Sequence, residues 1–129
     1  MKKAITIAVA AITGLSLLAM APAASARPDA PRVITQGHCS GQADWKLKVA
    51  PENARLQVEF EVHQAIPGAR WVVRIRENGA MLWSGPRTVQ ADGSFGVQRR
   101  ARNTAGSDRF AARATNASTG EVCVGTATL

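Results

Sequence analysis

The chain has no tyrosine and only three phenylalanines and three tryptophans. With so few large rings, the candidate core can be named: Trp45, Phe60, Trp71, Phe95 and Phe110, backed by many valines. Cysteine is equally scarce, at two residues, Cys39 and Cys123. No C-x-x-C occurs, and His38 beside Cys39 finds no further donors near Cys123 to complete a tetrahedral metal site. His38 and His63 are solitary, with no E-x-x-H spacing and no nucleophile elbow. No glycine-rich phosphate loop accompanies a strand-to-helix pattern, and no helical periodicity runs through the chain. These absences leave no catalytic residue, no metal ligand and no cofactor site to assign. The expectation is a protein that is not an enzyme.

Carboxylates are also in deficit, with nine Asp and Glu against sixteen Lys and Arg. Two of the lysines, Lys2 and Lys3, open the chain ahead of an apolar run from Ala4 to Met20. The small residues Ala24-Ser25-Ala26 follow. A positive start, an apolar middle and a small-residue exit describe a secretory signal peptide over residues 1–26. No basic stop signal follows the run, so no membrane span is expected after processing. Cleavage after Ala26 leaves 129 − 26 = 103 residues, enough for one domain. Without Lys2 and Lys3 the basic residues number 16 − 2 = 14 against 9 acidic, a net of +5. Nearly all are arginine, whose planar fork suits phosphate, sulfate and carboxylate oxygens. A GC-rich coding bias produces the same arginine-for-lysine usage, so composition alone does not assign a partner.

What is present is alternation. Residues 27–38 carry two prolines and no usable period, and read as a flexible or extended lead-in. From there Trp45, Leu47 and Val49 share one face against Lys46 and Lys48. Leu56, Val58, Phe60 and Val62 share another against Arg55, Gln57, Glu59, Glu61 and His63. In RWVVRIRE, Trp71, Val73 and Ile75 point inward, and Asn78-Gly79 is a two-residue hairpin turn. AMLW returns from it, SGP breaks the chain, and RTVQ forms a short strand before the Asp92-Gly93 turn. Phe95 and Val97, then Phe110, Ala112 and Ala114, continue the pattern into a last strand, EVCVGTATL. Short strands with turn signals at this spacing predict an all-β fold, an immunoglobulin-like antiparallel β-sandwich of about seven to eight strands over residues 39–129. Trp71 on the third strand, and GSDRFAARATNASTGE with Phe110 near the usual corner-tyrosine position, resemble that architecture. There is no tyrosine, and no cysteine lies on the strands that carry its usual inter-sheet bridge.

In a secreted domain, two cysteines most simply form one disulfide, here Cys39 to Cys123. Cys39 precedes the first alternating strand and Cys123 starts the last, so both belong at one end of the sandwich. Because Val122 and Val124 alternate with Cys123, the bridge is expected on the outer side or rim.

Candidate binding residues come from the Asn78-Gly79 hairpin. The two-residue turn fixes the register of the hairpin and pairs Arg76 with Met81, Ile75 with Leu82, and Arg74 with Trp83. Trp83 then lies on the outer face beside Arg74 and Arg76, with Arg109 and Arg113 added by the neighbouring DRFAARAT strand. Such a basic-aromatic face can stack a sugar while guanidinium groups hold anionic oxygens, or the arginine stems can simply cover the indole. Gln98 to Arg102 (QRRAR) is a second basic run, which reads as a solvated strand end or a phosphate contact. Glu59 and Glu61 read as charge balance for neighbouring arginines. Asn116-Ala117-Ser118 fits the glycosylation pattern.

The words CSGQADWKLKV, RWVVRIRENG and AGSDRFAARATNASTGEVCVGTATL resemble a family of small secreted actinobacterial proteins of streptomycete type. The resemblance runs from Cys39 to Leu129 and is most specific around the two cysteines. It implies secretion, a single disulfide-linked β-sandwich and a soluble product, and it carries over no site residues. The expected function is an extracellular, non-catalytic interaction module. Its basic-aromatic face would meet an anionic cell-wall polymer, a glycan or a protein, and nucleic acid is disfavoured. The alternatives are a carrier holding a small apolar ligand in a sandwich cleft and an enzyme with an unrecognised site.

Overall fold

The computed structural model describes residues 31–129. The segment read as a signal peptide and the start of the lead-in lie outside the described residues. Eight strands follow in order: β1 (Val33–His38), β2 (Asp44–Glu52), β3 (Arg55–His63), β4 (Arg70–Glu77), β5 (Ala80–Thr88), β6 (Phe95–Arg102), β7 (Arg109–Asn116) and β8 (Val122–Thr128). They form two four-stranded sheets with orders β1-β2-β3-β6 and β5-β4-β7-β8. Every strand pair is antiparallel. The chain therefore folds as the expected β-sandwich, and β4 meets β7 where the immunoglobulin-like pattern requires it.

Alternation decides which residues fill the space between the sheets. Leu47, Val49, Leu56, Val58, Phe60 and Val62 come from one sheet, and Trp71, Val73, Ile75, Phe110, Ala112 and Ala114 from the other; all are buried. Each large apolar side chain so enclosed contributes roughly 1.5–3 kcal/mol. Trp71 lies at the centre, 5.5 Å from Phe95 with the rings tilted by 43°. Asn78 and Gly79 both take positive φ, as their two-residue turn demands.

The structure departs from the expectation at four places. Residues 33–38 are not merely a lead-in: β1 pairs with β2 from Val33↔Val49 to His38↔Asp44. Its inward positions are Val33, Thr35 and Gly37, too mixed in polarity to show a period. Gly37 is required there, since a Cβ would come within 2.9 Å of the Trp45 indole. Second, SGP does not break the chain. β5 runs unbroken through Gly85 and Pro86, because β5 is an edge strand and proline is tolerated where no outer neighbour needs its N–H.

Third, the hairpin register slips. Arg76 pairs with Met81 as expected, but Ile75 then faces Trp83 and Arg74 faces Ser84, with the irregularity between Ile75 and Arg76. Leu82 is the extra residue of a β-bulge, and both Leu82 and Trp83 pack against the core edge. Partial burial of two large apolar side chains, at about 1–2 kcal/mol each, outweighs a ladder hydrogen bond worth about 1 kcal/mol. Fourth, the disulfide Cys39–Cys123, spanning 84 residues, is not on the outer side. Cys123 is fully buried and in phase with Gly125 and Ala127, whereas Val122 and Val124 face outward. Gly125 sets that phase, because a Cβ there would lie 2.6 Å from the Trp45 ring.

The two open edges of the sandwich are closed differently. At β1 and β8 the disulfide is joined by Thr35 Oγ1 donating to the Thr126 carbonyl at 2.9 Å. Ser40 adds its N–H to the Val122 carbonyl and receives the Val122 N–H on its hydroxyl. At β5 and β6 the cover is the Trp83 side chain together with arginines.

Candidate binding face

The outward positions of the β5-β4-β7-β8 sheet carry Arg70, Arg74 and Arg76 on β4 and Arg109 and Arg113 on β7, all exposed. Between and beside them lie Val72, Met81, Ser84, Pro86, Ala111, Thr115 and Val124. No Asp or Glu occupies any outward position of this sheet. The carboxylates of the described residues go elsewhere. Glu77 turns inward at the end of β4, Asp108 is buried below, and Asp44, Glu52, Glu59 and Glu61 belong to the other sheet. Asp92 accepts from Ser94 in its turn, and Glu121, just before β8, accepts the Gly41 and Ala43 N–H groups.

Register sharpens this asymmetry. Arg74 stands directly opposite Arg113. Like charges facing one another across an antiparallel pair destabilise it by roughly 0.2–1 kcal/mol. On the other sheet Lys46 stands opposite Glu61 and Lys48 opposite Glu59, and where Arg55 stands opposite Arg102 it also has Glu52 opposite it on β2. Glu59 and Glu61 thus face lysines of β2, not the arginines expected from the sequence. The only side-chain ion pairs among the described residues are His38 with Asp44 and His63 with Glu61. Every arginine on the β4–β7 face is accordingly without a carboxylate partner among the described residues.

Arg74 and Arg113 flank a shallow groove of about 260 Å³ whose other lining residues are Val72, Thr115 and Ala117. Val72, Met81 and Val124 on this same face are 38%, 47% and 50% exposed, and they account for most of the large apolar side chains left open to solvent. Arg76 is steadied by donating to the Gly79 carbonyl at 3.2 Å. Arg109 is anchored through its backbone, whose N–H donates to Asn78 Oδ1 at 2.9 Å and whose carbonyl accepts from the Asn78 N–H. Strand spacing of about 5 Å and side-chain repeat of about 7 Å then fix the grid of Cβ positions from which the five arginines extend. Charges this close reinforce one another within a Debye length of about 8–10 Å.

Four of the five residues expected on this face are therefore together: Arg74, Arg76, Arg109 and Arg113. Trp83 is not among them. The bulge turns it inward, where Arg87 and Arg99 lie over its ring. The face is arginine and aliphatic, not arginine and aromatic. Arg70, in phase with Arg74, completes it and follows from the alternation of RWVVRIRE. The QRRAR run is divided by its strand: Arg100 and Arg102 point outward and Arg99 shares the inner phase of Phe95, Val97 and Ala101.

The remaining polar groups have local duties. His38 Nδ1 lies 2.5 Å from Asp44 Oδ1, and His63 Nε2 lies 3.1 Å from Glu61 Oε2. Both histidines border an open depression of about 590 Å³ with Gln36, Gly37, Asp44, Trp45 and Lys46, a lining that holds no hydroxyl nucleophile. Asn116 of the glycosylation pattern is buried, and its Oδ1 accepts the N–H groups of Ser118 and Thr119. Asp108, also buried, accepts from the Thr104 hydroxyl and N–H and from Asn78 Nδ2. Beside it, burial foremost and then the Asp108 charge push the Glu77 carboxyl above its ordinary pKa, with Arg102 opposing. No protein-family model, curated protein or solved structure matches this chain.

Proposed function

We propose that the protein is a secreted, non-catalytic binding module. In this reading the outer face of β4 and β7 docks an anionic polymer of the cell surface, such as a phosphate- or sulfate-bearing glycan. One observation carries the reading: five arginines share a sheet face that holds no carboxylate, with Arg74 and Arg113 directly opposed. On the other sheet carboxylates offset the basic residues, Glu61 opposite Lys46 and Glu52 opposite the Arg55 that also faces Arg102; the β4–β7 face has no such offset. The opposed arginines instead leave a local excess of positive potential that an anion relieves. The aliphatic groove between them favours a partner that presents carbon surface beside its charges. Secretion is part of the proposal and rests on the N-terminal sequence and on a buried disulfide, which persists in oxidising surroundings.

The test is binding of the mature chain to immobilised poly(glycerol phosphate) and heparin at low and high salt, with uncharged dextran as control. Retention on both anionic polymers, lost as salt rises, is expected. Removing two contacts of about 1 kcal/mol each in Arg74→Gln/Arg113→Gln weakens binding roughly 30-fold. Equal retention of this variant and the native chain would refute the assignment.

A further inference from the structure

The β5–β6 edge has a construction that packing alone does not require. The bulge at Leu82 redirects Trp83 from the outer face to the mouth of the sandwich. Bulges of this kind disrupt the ladder locally and re-aim a side chain, and they gather next to functional sites. The indole then lies along β5 over Gly85, where a Cβ would come within 2.6 Å of Cζ2, so a side chain at that position would displace the ring. Two cations hold the ring: the guanidinium carbons of Arg87 and Arg99 are 4.5 and 4.9 Å from its centroid. They come from opposite sheets, Arg87 from β5 and Arg99 from β6. Arg99 occupies a position whose neighbours in phase, Val97 and Ala101, are buried core residues.

The two guanidinium groups differ in how they are held. Arg87 donates from Nε to the Gly96 carbonyl at 3.1 Å and from Nη1 to the Pro86 carbonyl at 2.9 Å, which pins it and leaves Nη2 unused. Arg99 makes no hydrogen bond and no ion pair with any described residue, so its whole fork is open. A single arginine would cover the indole. The second adds a like charge within about 10 Å of the first with no carboxylate to offset it.

We propose that Trp83, Arg87 and Arg99 form an oxyanion site at the β5–β6 edge, taking one phosphate, sulfate or carboxylate group on the open fork of Arg99 and the free Nη2 of Arg87. Trp83 acts as the platform that sets their position, and cation–π attraction holds both groups ready before the ligand arrives. Paired guanidinium forks match tetrahedral or planar oxyanions through several N–H donors at once. The site is separate from the β4–β7 face and does not depend on that face binding anything. The group it takes is either a free ion or one carried by a polymer.

The experiment is a titration of the disulfide-intact mature protein with inorganic phosphate at constant ionic strength, followed by tryptophan fluorescence. A parallel series uses poly(glycerol phosphate) at matched phosphate concentration. The expected result is a saturable change in emission that Trp83→Phe abolishes and Arg99→Gln shifts at least tenfold to higher concentration. Arg74→Gln/Arg113→Gln leaves the phosphate curve unchanged, which separates failure of this site from failure of the face. A half-saturation at lower phosphate concentration for the polymer assigns the group to a polymer; equal or weaker response assigns it to the free ion. Thermal melts of each variant establish that it is folded. No saturable response in the native chain, or the same response in folded Arg99→Gln, overturns the proposal.

Discussion

Replacing Arg113 by glutamate should make this protein more stable and a poorer binder at once. Arg113 stands opposite Arg74 on the adjacent strand, and no carboxylate shares their face. The substitution removes a like-charge cross-strand pair and installs an opposite-charge one. Each change is worth roughly 0.2–1 kcal/mol, so the sum is about 1 kcal/mol. In a domain of this size that raises the melting temperature by about 4–8 °C. Because both terms are electrostatic and exposed, the gain should fade as salt shortens the Debye length to about 3 Å at 1 M. Arg113→Gln, which removes repulsion without adding attraction, should fall between the two. The assays are thermal unfolding at low and high salt, alongside retention on poly(glycerol phosphate). If Arg113→Glu melts at or below the native temperature in low salt, or gains stability independently of salt, the opposed arginines are not a stored electrostatic cost. A gain in stability with undiminished polymer binding would refute the functional half of the argument.

Two further outcomes follow from the packing. Replacing Cys39 and Cys123 together by alanine should cost about 2–5 kcal/mol, measured by urea unfolding, because the bridge closes a loop of most of the domain and joins the two sheets at the β1–β8 edge. A loss below 1 kcal/mol would mean that the Thr35 and Ser40 hydrogen bonds suffice there. Glu77→Gln should stabilise the fold at pH 7, because it removes a partly buried charge that faces the Asp108 carboxylate. The sign follows from linkage. A carboxyl whose folded pKa lies above its ordinary 4.5 binds its proton more tightly when folded. Its favourable contribution is complete below 4.5 and is lost as pH rises through the folded value. The advantage of the glutamine variant over the native chain should therefore shrink as pH falls toward 4.5, and a gap that stays constant with pH would contradict it.

Most of the architecture was legible from alternation, because in β3 and β4 every second residue is large and apolar. One-residue slips there would expose Phe60 or Trp71, so only one phase is physically acceptable. The weaker elements lacked that contrast. β1 puts threonine and glycine at inward positions, and its reason to exist is Trp45, which packs against Gly37 from one side and Gly125 from another. Around Cys123, valine on both sides let either phase satisfy the pattern, and the choice was made by a glycine contact far away in sequence. The bulge at Leu82 is the largest departure, and it moved Trp83 off the predicted face. AMLW contains no polar residue to mark an outward position, so the slip had no local signature; only the energetic preference to enclose Leu82 and Trp83 together decides it. Arg74, Arg76, Arg109 and Arg113 were placed correctly because strand phase alone sets them. Arg87 was missed, and Arg99 was read only as part of the QRRAR run and not beside Trp83, because an arginine in the inward phase of a strand runs against the pattern. That violation was itself the available signal, since Arg99 shares its phase with Phe95 and Val97.

The central claim is that the acid-free β4–β7 face is where an anionic polymer docks. The most direct measurement is an amide chemical-shift map of the mature protein titrated with poly(glycerol phosphate). The account predicts shifts concentrated on Arg70 to Arg76 and Arg109 to Thr115, abolished by high salt, with β2 and β3 unmoved. Shifts centred on the lysine and glutamate rows of the opposite sheet, or spread evenly over the whole surface, would contradict it.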